Sequence, residues 1–589
     1  MSLLAPPHPL PPIEDPLFDA IREANEVYVD KTGFIQRMVS GRKRKFFCAR
    51  PRRFGKSLMV TTLESFFRGE KELFQGLAIE EYMESDAYSE HPVISLDMSA
   101  PRTRMGIGVL QEGLMAQLGL NASANGVSLR GTDPTVAFGN LMEDIHKKSG
   151  RLVILIDEYD APLLRAFNKA EIYEDVREEL RDFYTMIKPY DKQRFLRLVF
   201  ITGISKFAKL GIFSGLNNVT DISFEDEYAT MFGYTEKEIL DNFSAYIEIV
   251  AEKLSLTPKT LMGRLRDYYD GYFFGGTENV YNPVSIVSFF EKNKFAPYWI
   301  RTGSQEFITK YISERKVTLS QFENITISPE EITEPGEITR NLSPEYFLYQ
   351  AGYLTVRVTE ENGKPAYYLT YPNYEVRAAM LSLITNNFFK VRNAVTELQR
   401  KFANLLYKSA YAEAFLEFNE VLERIPYDDA VDSEAVGKVD SKSDGKVDGK
   451  TCGKADGKVV KLGQAHYREP ILGFLYGSEL FFIAEIHSNK GRPDIVFDYG
   501  EKTFVIELKT AIGEKKSLNE LLFAMKQMDE GNYTGRFPNP VAVGLVVDEK
   551  DRLITHICIE TDVYHVQKRK LTHLGKLNEL AAAADGEGK

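Results

Sequence analysis

The stretch Arg50 to Leu58 reads RPRRFGKSL, and its end, Gly55-Lys56-Ser57, has the residue types of the working half of a phosphate-binding loop. Glycine lets backbone approach a phosphate, lysine reaches the outer phosphates, and a serine hydroxyl at a helix N-terminus can ligate Mg²⁺. The first glycine of the usual G-x-x-x-x-G-K-[ST] pattern is replaced by Arg50. Further along, Leu152 to Glu158 reads LVILIDE, an apolar run ending in two carboxylates. Asp157 is placed to hold magnesium through water and Glu158 to orient or deprotonate an attacking water. A polar group near Thr202, Gly203, Ser205 or Lys206 could sense the outer phosphate. Between Arg42 and Lys56 every charged residue is basic: Arg42, Lys43, Arg44, Lys45, Arg50, Arg52, Arg53 and Lys56. Such a cluster suits a triphosphate, with nucleic-acid backbone as the alternative ligand.

A second constellation lies near the C-terminus. Gly491 to Lys509 reads GRPDIVFDYGEKTFVIELK. Asp494 opens one β-like run and the next delivers Glu507 and Lys509, which share a face because side chains repeat every two residues. A hairpin brings Asp494 beside them. Two converging carboxylates can hold Mg²⁺ against a scissile phosphate, and an ammonium can orient the attacking water. The eight histidines show no metal-ligand spacing, although His487 lies close to Asp494 in sequence.

The elements that must position these residues follow from the apolar pattern. The runs at 45–49, 93–96, 152–156 and 198–201 read as buried strands alternating with helices such as 57–68 and 107–118, which implies a parallel, doubly wound sheet with helices on both faces. From Tyr234 to about Arg424 the pattern turns helical, with one small β element at Tyr353 to Leu369 around an Asn362-Gly363 turn. Gly437 to Val460 holds three copies of an eight-residue Gly-Lys unit without aromatics, the composition of a solvated linker. Gln464 to about Glu560 is again α/β. The expected domains are an N-terminal extension (1–26), a P-loop domain (27–233), a helical middle region (234–426), a linker (427–463), a small α/β domain (464–562) and a C-terminal tail (563–589).

Two resemblances add to this reading. Val29-Asp30-Lys31-Thr32, RPRRFGKSL, LIDEYDAPL, ITGISKF and GLNNVTDIS together resemble the AAA-ATPase-like family of bacterial proteins, over about the first 230 residues. The resemblance implies ATP as ligand, nucleotide roles for Gly55, Lys56, Ser57, Asp157 and Glu158, and Arg50 as a family trait; Arg52 and Arg53 could contact phosphate or act as a finger toward a neighbour, with a structural salt bridge as the alternative for each. Pro493-Asp494 followed by Glu507-Leu508-Lys509 is similar to the PD-(D/E)XK nuclease superfamily, over roughly residues 464–560. Gln527 and Tyr533 resemble the glutamine-tyrosine motif of its exonuclease-like branch. Members often add a first-helix acid, for which Glu469 and Gln464 are the two positions in reach.

Composition bounds what remains. The 589 residues carry 85 acidic and 73 basic side chains, a net charge of -12, so any nucleic-acid contact must be local, at Arg42–Lys56 or around Arg492 and Lys509. Cys48, Cys452 and Cys558 are too scattered for a disulfide framework and point to the cytoplasm. Met1 to Pro12, with five prolines, is no signal peptide, and no apolar run is long enough to span a membrane; Ile471 to Ile486 carries two glutamates. The expectation is an ATP-binding and ATP-hydrolysing protein coupled to a Mg²⁺-dependent nuclease, able to self-associate. The alternative is a nucleotide-switched regulator that grips nucleic acid or protein through an inactive nuclease fold.

Overall fold

The computed structural model describes residues 6–13, 16–100, 106–166, 170–206, 219–299, 322, 325–333, 344–361, 363–380, 392–423, 464–477, 482–483, 493–499, 502–537, 539–567 and 569–586. The Gly-Lys repeat, His487 and Arg492 lie outside them, as do the side chains of Gln464 and Glu469, which fall on the helix Gln464–Gly477. The chain forms two compact units that meet in sequence between Arg377 and Ala378.

The first unit is built on a five-stranded parallel sheet: β1 (Lys45–Ala49), β2 (Val93–Asp97), β3 (Leu152–Asp157), β4 (Leu196–Gly203) and β5 (Thr220–Asp221), in the order β2-β3-β4-β1-β5. β1 and β3 are buried along their whole length because both faces carry helices. One face packs the helices Ile107–Ala124, Pro134–Ser149 and Ala170–Thr185. Leu110, Leu114 and Leu118 recur every fourth residue and meet Ile154 and Ile156 in a single core, where Phe138 stacks on Phe183. The chain leaves β1 for the edge strand β2 and later returns to place β4 beside β1. The C-terminal edge at that reversal is where such sheets bind ligands.

The middle region is helical, as its pattern suggests. The helices Glu236–Lys253, Pro258–Tyr269 and Pro283–Lys292 start at side-chain caps from Thr235, Thr257 and Asn282. A small antiparallel sheet joins β6 (Ile325–Thr326), β7 (Thr355–Glu361) and β8 (Lys364–Thr370), with the turn at Gly363. Lys31 locks the N-terminal segment onto this region. Asp30 accepts from Thr32, and Lys31 Nζ pairs with Glu238 at 2.6 Å and donates to Thr230 O.

A fully buried carboxylate, Glu375, accepts 2.7 Å hydrogen bonds from Ser285 Oγ and from the Trp299 backbone N–H. Burial pushes its pKa from 4.5 up to about 7, the hydrogen bonds opposing the rise only in part. A carboxyl raised in the folded state stabilises the fold at low pH, and that stability is lost as pH rises through the folded value. Tyr269 and Tyr272 face the same carboxylate. Between about pH 5 and about pH 8 the wild type should therefore lose on the order of 3 kcal/mol relative to Glu375→Gln. Denaturant melts of both proteins across that range check it, and parallel pH profiles would refute it.

The second unit is a seven-stranded sheet in the order β15-β14-β13-β12-β11-β10-β9. Its strands are β9 (Phe482–Ile483), β10 (Ile495–Tyr499), β11 (Lys502–Ala511), β12 (Pro540–Asp548), β13 (Leu553–Ile559), β14 (Asp562–Gln567) and β15 (Lys570–Lys576). β11 and β12 run parallel; the other neighbours are antiparallel. The helix Glu514–Glu530 covers one face, where Leu521 and Met525 pack on Val505 and Val546.

Two expected boundaries move. The sheet does not stop at 562: β14 and β15 add strands through Lys576, so the stretch taken as tail is largely structured. The residues 392–422, read as part of the middle region, belong to this second unit. Their helices place Phe402, Phe415 and Phe418 against Phe474, Phe497 and Phe504, covering the face opposite Glu514–Glu530, and Asn419 exchanges two hydrogen bonds with the Ile554 backbone. An aromatic stripe on a helix has no sequence mark naming the sheet it will cover.

Candidate functional sites

The helix Lys56–Arg68 begins directly after β1, with Gly55 at its N-cap in the left-handed region at φ 92°. Arg53 is also left-handed, at φ 66°. Lys56 is buried and its ammonium donates to Arg50 O (3.1 Å) and Pro51 O (2.9 Å). Burial lowers its pKa, while Glu158, Asp157 and Asp160 pull it back up. Asp157 is buried at the end of β3, which raises its pKa, and the neighbouring Ser57 hydroxyl and the Lys56 ammonium oppose the rise; its Oδ1 accepts from the Glu158 N–H at 2.9 Å. Glu158 is left-handed at φ 47°, a conformation costing a non-glycine residue about 1 kcal/mol or more and concentrated at functional sites. Burial raises its pKa too, and Lys56 and Arg52 favour its ionised form.

Arg52, Arg53, Gly55, Lys56, Ser57 and Glu158 line one pocket of about 360 Å³. Its other walls combine apolar residues, including Pro12, Ile13, Val27, Val29 and Pro283, with the polar Lys31, Thr62 and Arg165. Arg53 Nη1 donates to Ile13 O at 3.1 Å, tying the N-terminal segment over the loop. Ser205 and Lys206 are engaged elsewhere. Ser205 Oγ donates to Asp160 at 2.7 Å, and the Lys206 ammonium lies 3.5 Å from Asp221.

Arg50 stands where the usual loop has glycine, and it has turned inward. It is 1% exposed, donates to the carbonyls of Ala49, Ser223 and Tyr228, and stacks its guanidinium 4.2 Å from the Phe274 ring centroid. Its backbone φ is not positive, so nothing there requires glycine. Arg50→Gly should not improve the loop. It should destabilise the first unit by about 3 kcal/mol or more, through the lost packing and stranded carbonyls. A thermal melt measures this; an unchanged melting temperature would remove the structural role.

In the second unit, register pairs Ile495 with Ile506, and Asp494 sits one step before β10. Its N–H donates to Ile506 O at 3.1 Å, and its Oδ2 accepts from Leu508 N at 2.8 Å. Glu507 is 2% exposed, and burial together with the nearby Asp494 charge pushes its pKa up to about 7. Lys509 Nζ donates to Glu507 Oε1 at 2.8 Å and to Gln527 Oε1 at 2.9 Å; Gln527 Nε2 in turn reaches the Tyr533 hydroxyl at 3.3 Å. Glu507 Oε2 is buried without a hydrogen-bond partner among the described residues. No group of three or more His, Cys, Asp or Glu side chains able to hold a metal occurs among them.

The family model described as a predicted AAA-ATPase matches residues 12–213, and that of the PD-(D/E)XK nuclease superfamily matches residues 462–557. An uncharacterized protein in the vnfD 5' region of Azotobacter chroococcum mcd 1 is 33% identical over 428 residues, covering 71% of this chain and 78% of its own. The chain belongs to the predicted AAA-ATPase-like family. Among solved structures, the Aeropyrum pernix ORC2 protein in its ADPNP-ADP complexes aligns over 64% of this chain and 95% of its own, with 12% identity and a TM-score of 0.28, too distant to bear on function.

In this AAA-ATPase-like chain the singled-out residues fall into two groups. Arg52, Arg53, Gly55, Lys56, Ser57, Asp157 and Glu158 come together in the first unit, and Asp494, Glu507 and Lys509 in the second. Reading the sequence missed Asp160, which is 1% exposed and gathers the N–H groups of Ile204 and Ser205 as well as the Ser205 hydroxyl. It fixes the end of β4 against the end of β3. The signal was present as the second aspartate of Asp157-Glu158-Tyr159-Asp160. No helix among the described residues is long and apolar enough to cross a membrane.

Proposed function

We propose that the protein binds and hydrolyses ATP in the first unit and, under control of that nucleotide, cleaves nucleic-acid phosphodiesters in the second. The observation that carries the first half is the single pocket that collects Lys56, Ser57, Glu158, Arg52 and Arg53. Lys56, with Arg52 or Arg53, neutralises the outer phosphates, while the backbone N–H groups at the start of Lys56–Arg68 receive them. The apolar walls take the nucleoside. Ser57 and Asp157, which lie close enough for the hydroxyl to favour the ionised carboxylate, are the pair that would hold magnesium, and Glu158 orients the attacking water.

For the second half, the buried and unpartnered Glu507 Oε2 beside Asp494 fits a divalent cation, because a desolvated carboxylate oxygen without a donor is stabilised by one. Mg²⁺ there would stabilise charge on the scissile phosphate and acidify a bound water. Lys509, fixed by Gln527, orients that water or faces the developing charge. The test is cleavage of DNA and RNA by the full chain in Mg²⁺, with and without ATP. Cleavage that responds to ATP supports both halves and their coupling, and absence of cleavage on every substrate refutes the nuclease half.

A further inference from the structure

Three consecutive carbonyls of the phosphate-loop segment are held by side-chain donors. Arg50 O and Pro51 O accept from the Lys56 ammonium, and Arg52 O accepts at 3.0 Å from the indole Nε1 of Trp299, a residue of the helical middle region. Trp299 is the sole tryptophan of the chain and is 5% exposed. It is held twice over. Its backbone N–H donates to the buried Glu375 carboxylate, and its ring packs edge-on against Tyr353 at 5.0 Å.

The backbone around Tyr353 closes on the same loop. Gly352 is left-handed at φ 88°, and a Cβ there would sit 2.5 Å from Pro51 Cβ and 3.1 Å from the indole, so the turn touches both. Two residues earlier, Gln350 Oε1 accepts from the Lys206 N–H at the end of β4. The middle region therefore grips the loop after β1 and the end of β4 through side-chain, ring and backbone contacts.

We propose that Trp299 is a positioning residue for the nucleotide site: anchored by Glu375, it fixes the Arg52 carbonyl and so relays the state of the phosphate loop to the helical middle region. A trans peptide is planar, so holding Arg52 O toward the indole aims the Arg53 N–H the opposite way. A loop whose N–H groups are already aimed loses less freedom on binding phosphate, and affinity rises accordingly. The relay works in reverse as well. When Lys56 leaves Arg50 O and Pro51 O for a phosphate, the two carbonyls beside Arg52 lose their donor and the segment touching Trp299 readjusts. The inference rests on reading this pocket as an ATP site.

The experiment uses the full-length chain and ATP with Mg²⁺. Binding is measured by calorimetry for the wild type, Trp299→Phe and Lys56→Ala, and the intrinsic tryptophan emission of the wild type and Lys56→Ala is followed during the titration. Trp299→Phe keeps an aromatic ring and loses the N–H, so ATP should bind about threefold to tenfold more weakly, the range for one lost hydrogen bond. Wild-type emission should shift on ATP addition, and Lys56→Ala emission should not. The emission change is a signature that a packing role alone would not give, and it stands even if Trp299→Phe fails to fold. Wild-type ATP binding with a silent tryptophan, or with unweakened Trp299→Phe, would overturn this inference alone. Absence of ATP binding by the folded wild type would overturn the site reading and the inference with it.

Discussion

Asp494→Asn and Lys509→Met should each lower Mg²⁺-dependent cleavage of a labelled oligonucleotide by about a hundredfold to a thousandfold, the range for removing one group that stabilises transition-state charge. The two changes remove different things. Asparagine keeps an oxygen to accept from the Leu508 N–H, so the hairpin survives while a charged ligand is lost. Methionine keeps most of the lysine stem but deletes the ammonium that lies over Phe523 and joins Glu507 to Gln527. Glu507 then keeps its burial and loses its cation, so Lys509→Met should also shift its carboxyl toward the protonated form and weaken metal binding. ATP binding should be unchanged in both, because these residues belong to the other unit. Cleavage at wild-type rate in either variant, with metal present and contaminating nuclease excluded, would show that the substituted residue is not part of the cleavage site.

What could be read from sequence divides by the range of the interactions involved. Gly55, Lys56 and Ser57 announce themselves because a strand, a tight turn and a helix N-terminus are local, and the apolar run before Asp157 is equally local. Once both strands are placed in a parallel sheet, their C-terminal ends must share an edge. The pairing of Asp494 with Glu507 and Lys509 is legible for the same reason, a hairpin being the shortest-range pairing available.

Arg50 was not legible. Its partners Ser223, Tyr228 and Phe274 lie more than 170 residues away, so sequence could show only that a glycine was missing, not that a buried guanidinium had taken up structural work. Trp299 and Glu375 are hidden in the same way, as an aromatic and an acid in an amphipathic region. The placement of 392–422 depended on which sheet offered Phe497 and Phe504 as partners, a matter of tertiary packing rather than helical period. The local chemistry was thus readable, and the long-range support that holds it in place was not.

Lys56→Ala should weaken ATP binding by about tenfold to a hundredfold or more, the range for a lost hydrogen bond to a charged group. The resting geometry explains why the loss is large. Burial disfavours the ammonium, and three carboxyl groups, led by Glu158, hold it charged, so the lysine is a prepaid cation facing a pocket. Its carbonyl partners are neutral and a phosphate oxygen is not, which makes the exchange of Arg50 O and Pro51 O for phosphate favourable. Alanine removes that exchange and leaves Asp157 and Glu158 without a counter-charge that now favours their ionised forms, so two carboxylates would face the triphosphate with less compensation. Calorimetric titration with ATP measures the loss, and cleavage by the same variant without ATP should match wild type. If Lys56→Ala binds ATP as the wild type does, the pocket between Gly55 and Glu158 is not where the nucleotide sits.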